Sequence, residues 1–164
     1  MSKKLEGNGL WESSRMMLPQ HKEQSMQNQS DKPPLAPEPP TKKELEMMRD
    51  SVILPVALNI VEKKSIEAEI SSQTLKLLYS SAAKILAKCI REDVQKSKKA
   101  LVESNIRVFE DTKDDTAIYY RFICRGHEDQ FTMTKDFMRA EVSVKIGRYV
   151  KSLVVILQEA ARNK

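Results

Sequence analysis

Five prolines fall within eight residues, Pro33, Pro34, Pro37, Pro39 and Pro40, and no regular helix or sheet passes through such a stretch. Each ring fixes φ and removes a backbone donor, so the segment favours polyproline II and behaves as a semi-rigid spacer. The chain must therefore be built in two parts. Pro34 and Pro37 also make a PxxP spacing, the pattern that proline-recognition modules read, although this composition more often serves as a spacer.

The spacer ends against a helix-start signal. Thr41-Lys42-Lys43-Glu44 has the T-x-x-E spacing of a capping box, in which a hydroxyl and a carboxylate each satisfy a backbone N–H left free at the helix end. We expect a flexible tail over 1–30, a Pro-rich linker over 31–40 and a globular domain over 41–164. Up to Thr41 five basic and five acidic residues cancel, so the whole formal charge of +5 belongs to the domain. An excess of that size permits attraction to nucleic acid or to an acidic partner, and it is also common among proteins that bind neither.

Within the domain the apolar pattern predicts an α+β fold, predominantly helical: a kinked helix, a long helix, a three-stranded antiparallel meander and a C-terminal helix. Leu45, Met48, Val52, Val56 and Ile60 keep a three-and-four rhythm that runs through Pro55, which predicts one kinked helix. Ile66, Ala68 and Ile70 alternate with Glu67 and Glu69, a pattern that fits either a short half-buried strand or a helical linker. Ser71 or Ser72 could cap the long helix, from about residue 73 to 102. Its broad apolar arc holds Leu75, Leu78, Tyr79, Ala82, Ile85, Leu86, Cys89 and Ile90. Asn105 can end that helix. Ile106–Phe109 and the alternation Ile118, Tyr120, Phe122, Cys124 then read as a hairpin around the polar turn 111–115, with Phe131 and Met133 on a third strand.

From Thr134 the helical period returns, with Thr134 as cap and Asp136 in the first turn. Val142, Ile146, Tyr149, Val150, Leu153, Ile156, Leu157 and Ala160 form its apolar stripe. Residues 141–146 also alternate with period two and could be a strand, but length favours helix. The basic side chains Lys84, Lys88 and Arg91 on the long helix, and Lys145, Arg148 and Lys151 on the last one, fall opposite the apolar stripes. They are the candidate phosphate-tracking surface, with Arg121 and Arg125 beside Tyr119 as an extension; solvated helix faces are the plainer reading.

Groups that carry chemistry are sparse. There is no Cys/His set at zinc spacing and no Gly-rich phosphate loop in a chain with only four glycines. His21 and His127 have no sequence-local partner, and the acid pairs Asp114-Asp115 and Glu128-Asp129 sit in predicted turns, where carboxylates are usually solvated; a calcium loop would need EF-hand spacing that is absent. We therefore expect no enzymatic activity, cofactor or metal. Cys89 and Cys124 both lie in apolar-periodic segments and are expected to be buried thiols in a reducing compartment. No apolar run approaches the roughly 20 residues that span a bilayer, and the N-terminus has no secretory core, so a cytoplasmic protein without membrane contact is expected.

The tail holds the only Trp. Leu10-Trp11-Glu12-Ser13-Ser14-Arg15-Met16-Met17-Leu18-Pro19, preceded by Asn8-Gly9 and followed by His21-Lys22-Glu23, is an apolar island in a polar segment. Such an island either docks on its own domain or is presented to another molecule. The run resembles the opening motif of the YolD-like family of small bacterial proteins over about residues 4–24. Those proteins are often encoded beside Y-family translesion polymerases. The resemblance implies an accessory role in bacterial DNA-damage tolerance, within an SOS-type response, and a Y-family DNA polymerase as partner. The expected function is thus a non-enzymatic accessory that presents Trp11, Arg15, Met16, Met17, Leu18 and His21 to a protein partner. The alternative is a nucleic-acid-binding domain that uses the basic helix faces. The sequence leaves the oligomeric state open.

Overall fold

The computed structural model describes residues 37–163, in the order α1 (Lys42–Ile70), α2 (Lys76–Glu103), β1 (Ile106–Lys113), β2 (Ala117–Cys124), β3 (His127–Thr134) and α3 (Lys135–Arg162). Three helices and one antiparallel sheet make a mostly helical α+β domain, the class that the periodicity predicts. The tail motif and most of the spacer lie outside the described residues.

Helix α1 starts as its residues dictate: the Thr41 N–H donates to the Glu44 carboxylate at 2.7 Å and the Glu44 N–H to the Thr41 hydroxyl at 3.3 Å. It passes through Pro55 as one helix and continues to Ile70, so the alternation of 66–70 is helical and no strand forms there. The stripe Leu45 to Ile60 is not its whole buried face. Met48, Ile53, Leu54, Ala57, Val61 and Ser65 are buried, whereas Ile60 is exposed. The reason is that α1 packs on three partners. Met48 joins Leu101, Ile106, Phe122 and Cys124; Ile53 and Ala57 join Tyr120, Met133, Met138 and Val142; Leu54 and Val61 join Ala87, Ile90 and Val94. A single stripe cannot serve three neighbours.

Neither Ser71 nor Ser72 starts α2. Ser71 instead closes α1, its N–H and hydroxyl both bonding the Ala68 carbonyl, and Leu75 stands at the α2 N-cap without a side-chain cap. Asn105 leaves the end of α2 at φ 54, a left-handed conformation that Asn tolerates. The strands pair in the order β1-β2-β3, with Val108 opposite Phe122 and Tyr120 opposite Phe131. The β2–β3 turn has two residues, Arg125 at φ 47 and Gly126 at φ 84; positive φ at both central positions matches the right-handed strand twist. In the first turn Asp114 accepts the N–H groups of Thr116 and Ala117 and the hydroxyls of Thr116 and Tyr119. Those bonds, the Thr116 N–H first, hold its carboxyl well below the usual range. That carboxylate shapes its own turn.

Helix α3 begins at Thr134, whose hydroxyl accepts the Phe137 N–H, and residues 141–146 are helical. Only the first half of its apolar stripe is covered. Val142 is buried and Ile146, Tyr149 and Leu153 are half-buried, but Val150, Ile156, Leu157 and Ala160 are exposed. The two thiols also differ. Cys124 is buried and Cys89 is exposed, because α2 turns Ser80, Ala87, Ile90, Val94 and Leu101 inward and Cys89 lies on another arc. A thiol reagent in dilute native solution is therefore expected to label one site quickly, Cys89, and the second only after denaturant is added. Mass spectrometry of the labelled peptides checks this; equal native rates would contradict it. Among the described residues no helix is long and apolar enough to cross a membrane.

Candidate interaction surface

The six basic candidates do not form one stripe. Arg91 pairs with Glu62 and Lys84 with Glu69, so two cations seven residues apart on α2 meet two acids seven residues apart on α1. Antiparallel helices joined by a short turn impose that register, and the matched spacings are a signal the sequence already carried. Lys145 is half-buried rather than outward, with its side chain 19% exposed and its ammonium 2.7 Å from Asp50. It ties α3 to α1. Lys88, Arg148 and Lys151 are exposed and make no ion pair among the described residues. Arg148 lines a recess of about 380 Å³ with Arg49, Lys145, Glu46, Asp50 and Glu141. Three carboxylates beside three cations leave little net field for a phosphate.

The sheet residues proposed as an extension are occupied as well. Arg121 lies 6.0 Å over the Phe109 ring and 3.6 Å from Glu128, and the Tyr119 hydroxyl donates to Asp114. Arg125 makes a two-pronged contact with the Glu44 carboxylate. That contact, followed by the Thr41 N–H, holds the Glu44 carboxyl at about 2, far below its ordinary value.

One further polar contact links α2 to α3. The Tyr149 hydroxyl donates to Asp93 at 2.6 Å. Burial first, then this carboxylate, pushes the phenol well above its ordinary value, and the same bond pulls Asp93 down. The donor sets therefore hold helices together; no group of three or more His, Cys, Asp or Glu able to hold a metal occurs among the described residues. A cleft of about 290 Å³ between α1 and α3 is lined mainly by Val56, Ile60, Met138, Val142 and Ile146.

What distinguishes the surface is exposed apolar area. Ile66, Ile70, Leu75, Leu77, Leu78, Tyr79 and Ile85 stand open around the α1–α2 turn, and Val150, Val154, Val155, Ile156 and Leu157 along the end of α3. Scattered exposed apolar residues are normal; continuous helical stretches of them mark contact surfaces. Sequence periodicity placed Leu75, Leu78, Tyr79, Ile85, Val150, Ile156 and Leu157 on apolar stripes expected to be packed, and the structure leaves them exposed. Trp11, Arg15, Met16, Met17, Leu18 and His21, the partner-binding candidates, lie outside the described residues.

A family model described as YhjD protein matches residues 39–154, most of the chain. This corrects the resemblance drawn from residues 4–24. The matched residues are those of the domain, where packing constrains many positions at once, whereas the YolD-like likeness rested on a short run in the tail. The links to a Y-family polymerase, an SOS response and DNA-damage tolerance rested on that resemblance, and the family match lends them no support. No curated protein and no solved structure matches the chain.

Proposed function

The chain belongs to the YhjD protein family, and for this member we propose a non-enzymatic role as an interaction protein that works by binding another protein. The observation that supports this reading is where the polar groups of the domain are spent. Lys84, Arg91, Lys145 and Arg125 are bound to Glu69, Glu62, Asp50 and Glu44, which interrupts a phosphate-tracking face while extended apolar surface stays open. In this proposal the tail supplies a linear anchor of Trp11, Met16, Met17 and Leu18, with Arg15 and His21 fixing its register. We place the protein in the cytoplasm, whose reducing conditions suit an exposed free thiol such as Cys89.

The test is capture of partner by the tagged full chain. Trp11→Ala combined with Leu18→Ala is expected to abolish capture while moving Tm by no more than about 1–2 °C, since substitutions outside a packed core rarely cost more. Capture retained alongside a Tm lowered by several degrees would make these side chains part of the fold's own packing and overturn the reading.

A further inference from the structure

The cleft of about 290 Å³ between α1 and α3 has an apolar body and a cationic end. Helix α3 supplies Lys135, Met138, Arg139, Val142, Ser143 and Ile146, which recur at intervals of three and four and so share one helix face. Val56 and Ile60 of α1 stand opposite. Met138 and Val142 are buried and Val56 and Ile146 half-buried, so the floor is packed apolar side chain, and Ile60 forms the rim at 39% exposure. Among the described residues no aromatic ring and no carboxylate lines the cleft, and Ser143 adds its one uncharged polar group.

The two cations lie one turn apart at the start of that face. Lys135 makes no ion pair among the described residues. Arg139 reaches Asp136 at 3.3 Å, but with side chains 78% and 94% exposed such a pair holds little against water. Both cations therefore remain available to an anion. Beyond them the apolar wall runs from Arg139 to Ile146, about 10 Å at 1.5 Å per residue, which is the length of an eight-carbon chain. A purely apolar occupant would leave the cations unused, and a two-chain lipid exceeds the volume. Small-molecule sites commonly join an apolar wall to a few polar groups that set orientation. We propose that the cleft binds a free aliphatic monocarboxylate of about eight carbons, its chain along Val56, Val142 and Ile146 and its carboxylate between Lys135 and Arg139. The site is separate from the tail motif, so loss of this ligand and loss of motif-dependent capture are read independently.

The experiment titrates octanoate, below the concentration at which it forms micelles, into the full chain by isothermal calorimetry. Saturable one-to-one binding with a Kd on the order of 1 mM or tighter is expected, with a Tm that rises as octanoate is added. Octanol keeps the chain and lacks the charge, and should bind at least about tenfold more weakly. Butyrate keeps the charge and lacks most of the chain, and should give no measurable binding. Lys135→Gln combined with Arg139→Gln should weaken octanoate at least about tenfold and leave the Tm of the unliganded protein unchanged, because neither side chain is buried. Ile60→Glu, which sets a carboxylate at the rim, should abolish binding. Absence of saturable binding overturns the proposal, and so does octanoate affinity matched by octanol, by butyrate or by the double variant. Octanoate that binds the Trp11→Ala, Leu18→Ala chain and fails to bind the unaltered one would give the cleft to residues 1–36, which also overturns it.

Discussion

Ile53→Ala is expected to lower the unfolding free energy by about 3 kcal/mol, within the ~2–5 kcal/mol that such truncations cost in packed cores. Ile53 is 2% exposed and sits where α1, the sheet and α3 converge, among Ala57, Tyr120, Met133 and Val142. Removing its outer carbons takes away their burial and leaves a void that three elements would have to move together to close. A domain of this size holds only about 5–15 kcal/mol in all, so the urea midpoint should fall sharply with little change in slope. Ile85→Ala in dilute solution is the control. Ile85 is 49% exposed, and its loss should cost no more than about 0.5 kcal/mol. Equal losses at the two positions would mean that Ile85 is packed as closely as Ile53.

Glu44→Gln is expected to cost about 1 kcal/mol at neutral pH, because it removes the charge that Arg125 is bound to. The carboxylate closes the capping box on the Thr41 N–H and accepts both prongs of Arg125, with side-chain exposures of only 15% for Glu44 and 34% for Arg125. A glutamine keeps the hydrogen bond to the Thr41 N–H, so what is lost is the charge in a two-pronged, partly covered ion pair, worth about 1 kcal/mol. The contact also fastens the β2–β3 turn to the start of α1, across residues far apart in the chain. The pH dependence follows from the sign of the shift. Folding lowers the Glu44 carboxyl from 4.5 to about 2, so its contribution is complete above pH 4.5 and disappears as pH falls toward 2. Denaturation curves should therefore separate the wild type from the variant at pH 6 and converge near pH 2. A gap that stayed constant across that range would show that charge at this position contributes nothing.

The secondary-structure elements are legible in the residues themselves. The capping box at Thr41, the cap at Thr134, the left-handed Asn105 and the Arg125-Gly126 turn are local signals, satisfied within a few residues, and the period-two runs of the sheet pair between neighbouring segments of the chain. Local chemistry therefore placed three helices and three strands in the right order. Which apolar side chains are covered depends on how the helices pack. The apolar arc of α2 is broader than one neighbouring helix can cover, so Ile90 is fully buried while Ile85 and Cys89 on the same arc are exposed. Periodicity reports that a face is apolar; it does not report what sits against it. The same limit applied to charge. Lys84, Arg91 and Lys145 read as a solvated basic face until the pairing of α1 with α2, and the crossing of α3, brought Glu69, Glu62 and Asp50 to them. An ion pair between elements depends on their register, and register is fixed by the packing of the core between them.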